Sequence, residues 1–417
     1  MLFIWIVVGL LLAYLAYGLL VKTDYRRVFA GDFAQDQIKD GYLRPQEVID
    51  PDEDVLAARV SAAVAHDTSR RKEFAGRDDP MFHEPHWGHT SALLQGTLTI
   101  DGVENLPKAF RTGLFKQNCS YPVVARSGVA KDPDLGFAIN RLALKIKYPE
   151  MVPNVYAPSG TAEELDLLLV AGEPAANGAS HTFFARDGRQ LDMATSLKPP
   201  SIKTLKILAN WRNVRMLAGV FGTVKRSMQP MRRAPSSAAG WAGKPYFSLG
   251  PFALGNGAMK FNLTPKQEDP VADTDPLKSD IAAVNKDNME AWMAKGEAAE
   301  FLLGVQLATP DCIPEPGPDD PPKSVMAAEY CDIQWDEGRS PYIAVGTLRL
   351  TARETINDQS LWGSLQFNAW NTLPEMRPLG QLFRLRKHVH AAHSDVRVSH
   401  LYGGKPGELV GRCPFSG

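Results

Sequence analysis

The chain has 417 residues, enough to bury a full hydrophobic core as one large domain or two smaller ones. Its residues are 44% hydrophobic and 22% charged, and the formal net charge is −1, so charge gives no support for nucleic acid as a partner. The four cysteines lie far apart with no CxxC pair, which excludes a zinc framework and a disulfide scaffold.

The first 21 residues (MLFIWIVVGLLLAYLAYGLLV) carry no charged side chain. About 20 apolar residues suffice to cross a bilayer as a helix. No basic residue precedes this run and no A-x-A pattern closes it, which disfavours a cleaved signal peptide. Lys22, Arg26 and Arg27 follow it, so the positive-inside rule places the body of the protein on the cytoplasmic side. The sequence therefore predicts a single-pass transmembrane anchor over 1–21.

A polar juxtamembrane arm over 22–80 follows, with one helix expected at roughly 54–70. Beyond it the pattern changes to short strand-like runs at 92–100, 121–126, 141–148, 165–170, 246–263, 300–308 and 342–350. Leucines at 142 and 144 alternate with Ala143 and Lys145, which is typical of a half-buried strand. Asn256-Gly257 predicts a hairpin turn. Many short strands followed by a helix favour an α+β fold, an antiparallel barrel or sandwich with appended helices.

The C-terminal stretch 381–398 predicts a helix with two stripes. The apolar stripe, expected to face the core, is Leu385, Val389, Ala392 and Val396. The second stripe is Arg386, His390, His393 and Arg397. Its members are three or four residues apart and therefore neighbours on one face, where four potential cations repel unless something anionic or a metal lies against them. The alternative is that this stripe is simply a solvated basic face of the helix. A zinc site is the weakest interpretation, because no HExxH motif accompanies the histidines.

Five landmarks between 81 and 400 appear in the order found in the heme catalase superfamily. They are GTLTI (96–100), YPVVARSG with DLGFAI (121–139), HTFFARD (181–187), EFLLGVQLATPDCIP with SPYIAVGTLRL (300–350) and FNAWNTLPEMRPLGQLFRLRKHVH (367–390). The chain thus resembles the short, catalase-related form of that family. The resemblance implies an antiparallel β-barrel with surrounding helices over 81–405, binding heme b between the barrel and the last helix.

On the proximal side, the family's helix carries Arg-x-x-x-Tyr, in which the tyrosinate binds iron. Here the arginine is kept as Arg386, but His390 stands where the tyrosine belongs. The resemblance therefore implies that His390 is the axial iron ligand, with His388 and His393 as lower-ranked alternatives on the same helix. Arg386 disfavours a charged imidazolium and so leaves His390 neutral and able to coordinate. Arg126 matches the family's heme-facing arginine. The serine that the family has two residues later is adjacent to the arginine here, as Ser127.

On the distal side, the family's catalytic histidine falls between His86 and His89, and both stay candidates. The family's arginine three residues earlier is absent, and the distal asparagine corresponds to Asn177. Such a histidine moves a proton between the two oxygens of a peroxide as general base and then acid.

Two functions are favoured over a third, a barrel without heme that serves only for interaction. The first is a membrane-anchored, catalase-like heme enzyme that decomposes or uses hydrogen peroxide or lipid hydroperoxides. The second is a heme- or lipid-binding protein that keeps the barrel without turnover. A homo-oligomer is compatible with both functions.

Overall fold

A closed antiparallel β-barrel forms the centre of the computed structural model, which describes residues 33–74, 88–132, 137–171, 240–269, 281–317, 320–331, 333–352 and 365–402. The strands are β1 (Ile38–Lys39), β2 (Tyr42–Leu43), β3 (Gly88–Ile100), β4 (Cys119–Asp132), β5 (Phe137–Pro153), β6 (Thr161–Ala171), β7 (Tyr246–Ser248), β8 (Phe252–Leu254), β9 (Gly257–Pro265), β10 (Ala299–Leu307) and β11 (Ile343–Ala352). Eight of them close the ring in the order β3-β4-β5-β6-β7-β9-β10-β11, and β11 pairs back onto β3. All these pairings are antiparallel, so the predicted barrel is confirmed and the sandwich is excluded.

Alternate residues of the strands fill the barrel. Leu142, Leu144 and Ile146 of β5 lie in the same core cluster as Leu165 and Leu167 of β6, and all five are almost fully buried. Burying a leucine or isoleucine side chain stabilises a fold by about 1.5–3 kcal/mol, so this inward row is a main source of barrel stability.

The hairpin predicted at Asn256-Gly257 is present, but the turn lies one residue earlier. Leu254 pairs with Gly257, so the turn residues are Gly255 and Asn256. Gly255 has a φ of 57°, a backbone conformation that glycine adopts without steric cost. The side chain of Phe110 lies where a β-carbon on Gly257 would be, which explains the second glycine.

Four described helices accompany the barrel: α1 (Glu53–Phe74), α2 (Ile281–Ala294), α3 (Lys323–Glu329) and α4 (Gln381–Tyr402). The predicted helix at 54–70 corresponds to α1. The apolar stripe of α4 was expected to face the barrel core, and this was wrong: Leu385 and Val389 pack against Leu56, Ala57 and Val60 of α1. Two helices thus shield each other's apolar faces.

The described part of the arm lies against the barrel. The backbone N–H of Leu43 donates to the carbonyl of Ala308 at 3.0 Å, and the rings of Tyr42 and Phe110 meet edge to face at 4.7 Å. Among the described residues, no helix is both long enough and apolar enough to span a membrane. The anchor predicted over 1–21 lies outside the described residues, and the domain boundaries at 22–80 and 81–405 stay predictions.

The segment 365–368 covers part of the outer face of β3, β4, β5 and β6. Leu365 and Phe367 pack on Leu93, Val124 and Ala143, which project away from the barrel core. Lys145 lies under the same segment and is only 3% exposed. The expectation that β5 is half-buried was therefore wrong at this position, because a distant part of the chain covers its outer face.

Candidate functional site

The first turn of α4 is fixed by an ion-pair network. Arg384 donates from Nη1 to Glu47 at 2.7 Å and to Glu329 at 3.2 Å, and from Nε to Glu53 at 2.5 Å. Burial lowers the pKa of Arg384, but its hydrogen bonds to Glu53 and the charges of the three glutamates outweigh this effect and raise the pKa above the ordinary value. The network ties the arm, α1 and α3 to α4, and so sets the position of the turns that follow.

His390 lies two turns further along α4, with only 7% of its surface exposed. Its Nδ1 is 3.2 Å from the carbonyl oxygen of Phe367, and its Nε2 is 3.2 Å from Nη2 of Arg386. A carbonyl only accepts, so Nδ1 carries the proton and Nε2 carries the lone pair that faces the guanidinium. Burial, and then the charge of Arg386, lower the pKa of His390 to about 3. The imidazole is therefore neutral in the physiological range.

Three arginines converge on this imidazole. Arg386 is 7% exposed and Arg126 is 9% exposed, and both line one cavity with Arg141 and His390. Burial, and then the charge of Arg141, lower the pKa of Arg386 to about 10. The guanidinium of Arg126 lies 4.6 Å from the centre of the Phe367 ring, a cation–π contact. Such a concentration of buried positive charge is suited to an anionic ligand.

The cavity has a volume of about 50 Å³ and lies between α4, the segment around Phe367 and the outer face of the barrel. Besides the arginines and His390, its walls are the apolar residues Leu142, Ala143, Leu168, Leu169, Val170, Leu249 and Phe367. A mostly apolar wall with a few convergent polar groups is the usual make-up of a small-molecule site.

A buried ion-pair triad lies beside the cavity. Lys145 and Asp166 face each other across the β5–β6 pair, and Nζ of Lys145 donates to Asp166 and to Glu164, each at 2.8 Å. The other carboxylate oxygen of Asp166 accepts the backbone N–H of Asn368 at 2.9 Å. Burial lowers the pKa of Lys145, but the two carboxylates outweigh it and keep the ammonium charged. The triad therefore fixes the segment that carries the Phe367 carbonyl.

The structure brings together His390, Arg386 and Arg126 of the predicted site residues. Ser127 is buried on β4, and His393 is 3% exposed on α4, but neither lines this cavity.

The side chains of the distal candidates lie outside the described part of the structure. His89 lies in β3 opposite Val129, and its side chain is outside the description. His86 and Asn177 lie outside the described residues. Within the described part of the chain, no group of three or more His, Cys, Asp or Glu side chains could hold a metal ion.

Sequence reasoning missed Arg141 and Asp166. Arg141 shares the outward face of β5 with Ala143 and Lys145, and Asp166 lies between the inward residues Leu165 and Leu167. A lysine and an aspartate on neighbouring outer positions look like a solvated surface. The only signal was that the two strands are consecutive, which could place the two charges side by side.

Comparisons with known proteins support the same architecture. The chain matches no protein-family model, and no curated protein sequence matches it significantly. Among solved structures it is similar to a fungal catalase, with a TM-score of 0.53 and 15% identity over 93% of this chain and 72% of that one. It is also similar to catalase A from Saccharomyces cerevisiae, with a TM-score of 0.51 and 14% identity over 89% of this chain and 68% of that one. At such low identity the likeness shows the fold: the protein has a catalase-like barrel.

Proposed function

We propose that this protein binds heme b between the barrel and α4, with His390 as the axial ligand, and acts on hydrogen peroxide or organic hydroperoxides. The observation that carries the proposal is the state of His390: buried, neutral, and hydrogen-bonded at Nδ1 to the Phe367 carbonyl. Histidines that bind metals usually donate their other ring N–H in this way, which fixes the tautomer and the ring orientation.

The charged residues of the site also fit heme, which carries two carboxylates. Arg126 and Arg141 line the cavity beside His390, and a buried guanidinium is the side chain best suited to pair with a carboxylate. The volume of about 50 Å³ is far below the roughly 300–1,000 Å³ of ligand pockets. Heme binding therefore requires the cavity walls to move apart.

Arg386 sets a further condition. The neutral imidazole has one lone pair, at Nε2, and Nη2 of Arg386 already faces it at 3.2 Å. An iron ligand bond and this hydrogen bond are therefore alternatives. Arg386 would have to leave Nε2 for His390 to hold iron, and its guanidinium would then be available to an anionic group.

Heme supplies the redox chemistry, and the protein supplies orientation, axial electronics and proton transfer. His390 contributes a neutral nitrogen donor, weaker than the tyrosinate of the family that the sequence resembles. His86 or His89 is assigned the proton transfer between the peroxide oxygens, and Asn177 is assigned the role of the distal asparagine of the family that the sequence resembles. The altered donor favours peroxidase-type turnover over fast peroxide decomposition.

Heme titration of the full chain tests the proposal. The wild-type protein should take up heme with a histidine-ligated absorption spectrum, and His390→Ala should lose it or require added imidazole. His390→Tyr should shift the spectrum toward phenolate ligation. His388→Ala is the matched control, because His388 is exposed on the same helix. Heme uptake by His390→Ala with an unchanged spectrum would reject His390 as the ligand.

The contact between Arg386 and His390 favours a second candidate, a heme-binding protein without turnover. A ligand that must compete with a guanidinium binds iron weakly. Peroxide consumption by the heme-loaded chain separates the two: turnover above that of free heme supports the enzyme, and its absence supports the binding protein.

Membrane attachment through 1–21, with the barrel on the cytoplasmic side, is part of the proposal and rests on the uncharged apolar run and the basic residues behind it. It would place the site near lipid hydroperoxides. Protease added to intact spheroplasts should leave the barrel uncut; cleavage there would reverse the orientation. A homo-oligomer stays a prediction.

A further inference from the structure

We infer that Asp166 is a positioning residue that strengthens the hydrogen bond from His390 Nδ1 through a single peptide group. Asp166 accepts the N–H of Asn368 at 2.9 Å. The carbonyl of Phe367, 3.2 Å from Nδ1 of His390, belongs to the same peptide unit, because the C=O of one residue and the N–H of the next share one amide. The carboxylate and the imidazole are thus joined through one resonant amide.

The direction of the effect follows from that resonance. An anionic acceptor on the N–H draws the amide toward its charge-separated form, which places more negative charge on the carbonyl oxygen. Hydrogen bonds in a chain strengthen one another, by about 10–30% per bond. The Phe367 oxygen therefore attracts the Nδ1 proton more strongly, and the imidazole becomes a better electron donor at Nε2.

Hydrogen bonds from its neighbours fix the position of the Asp166 carboxylate. Asp166 is 1% exposed, its own backbone N–H donates to Asn371 at 2.7 Å, and Lys145 binds the carboxylate oxygen that Asn368 does not use. Burial raises the pKa of Asp166 to about 6, against the lowering by Lys145, so the group is ionised at neutral pH. The plain alternative is that Asp166 only anchors the segment over the barrel.

The inference rests on the proposed function only where heme is concerned, and the first test needs no heme. In the full chain with ¹⁵N-labelled histidine, the His390 Nδ1 proton is observed by NMR in wild type, Asp166→Asn and Glu164→Gln. Asparagine keeps the shape and an acceptor oxygen but removes the charge. Glu164 binds the same lysine without touching the peptide group, and is therefore the matched control.

Asp166→Asn should move the Nδ1 proton upfield, and Glu164→Gln should leave it in place. An unmoved proton in a folded Asp166→Asn protein, or equal shifts in both variants, would overturn the inference. If Asp166→Asn does not fold, the proton chemical shifts of the wild type alone test the inference. Its His390 Nδ1 proton and Asn368 amide proton must lie downfield of those of comparable neutral histidines and buried amides, and ordinary positions would overturn the inference.

A second test uses the heme-loaded chain. Asp166→Asn should lower the iron–nitrogen stretching frequency in the reduced protein and raise the midpoint potential, whereas Glu164→Gln should change neither. Heme binding with identical spectra and potentials in Asp166→Asn and wild type would overturn the inference while the proposed function stands. Failure of the wild type and both variants to bind heme would reject the proposed function. The chemical shift of the His390 Nδ1 proton in the heme-free protein would still decide the role of Asp166.

Discussion

The neutral state of His390 predicts a specific loss of stability in acid. Burial and Arg386 lower its pKa from 6.5 to about 3. A group with a lowered pKa stabilises the fold at a pH above its unfolded value, and that stability is lost as the pH falls through the folded value. The loss should therefore begin near pH 6.5 and continue to about pH 3.

The magnitude follows from the two pKa values. One pKa unit corresponds to about 1.4 kcal/mol. The linkage relation then gives a loss of about 2 kcal/mol at pH 5 and about 4 kcal/mol at pH 3 for an imidazole that titrates at 6.5 when unfolded and at about 3 when folded. His390 is 7% exposed, so solvent screening reduces these figures little.

The assay compares urea unfolding of heme-free wild type and His390→Gln at several pH values. The glutamine oxygen can reach the position of Nε2 and accept from Arg386, but it does not titrate. Between pH 8 and pH 5 the wild type should lose about 2 kcal/mol more than the variant. Asp166 changes the free energy of unfolding in the opposite direction. Because its pKa is raised in the folded state, its contribution to stability falls as the pH rises from about 4 to about 6. It is present in both proteins and cancels in the difference.

Equal pH dependence of wild type and His390→Gln would refute the reasoning, because it would mean that His390 titrates normally and is solvated. A variant in which the exposed His388 is replaced by Gln should keep the wild-type slope.

The structure makes further predictions. Lys145→Met should destabilise the fold by about 3–5 kcal/mol in urea unfolding, since it leaves buried Asp166 without its counter-charge, and Asp166→Asn in the same chain should restore part of the loss. Leu385→Ala should cost about 2–5 kcal/mol, because its side chain is fully buried against α1; a cost below about 0.5 kcal/mol, the value for surface changes, would contradict that packing. Arg386→Met should raise heme affinity by about 10- to 150-fold in titration, because the variant frees Nε2 and a hydrogen bond to a charged group is worth about 1.5–3 kcal/mol. Weaker binding would show that the guanidinium holds heme.

Strand alternation was sufficient to predict an antiparallel barrel or sandwich, because inward rows such as Leu142, Leu144 and Ile146 are a local property of the sequence. The choice of a barrel came from the family resemblance. It could not predict what covers the outer face. Asn371 contacts Asn154 across 217 positions of sequence, and such contacts leave no periodic signal. Lys145 therefore looked solvated although a distant segment buries it.

The candidate site was likewise predictable from the sequence only in part. Helical spacing placed Arg386 and His390 on one face, and they are indeed adjacent on α4. Spacing along α4 cannot show which strand residues meet that face, so Arg141 and Asp166 were missed. The partner of the apolar stripe was also misjudged, because the stripe pattern is the same whether the facing surface is a barrel or another helix.

Under the proposed function, His390 lies where the family that the sequence resembles has a tyrosine, and this difference would change what an arginine one turn earlier can do. A phenolate oxygen has several lone pairs, so it can accept from an arginine and bind a metal together. A neutral imidazole offers a single lone pair at Nε2, and Nη2 of Arg386 occupies it. The same arginine that supports an oxygen ligand thus opposes a nitrogen ligand. What remains to strengthen His390 as a donor is its other nitrogen, Nδ1. That nitrogen donates to a peptide group whose N–H is held by the buried carboxylate of Asp166. The histidine and the Asp166 hydrogen bond therefore form one unit, and a change to either should alter the donor strength at Nε2.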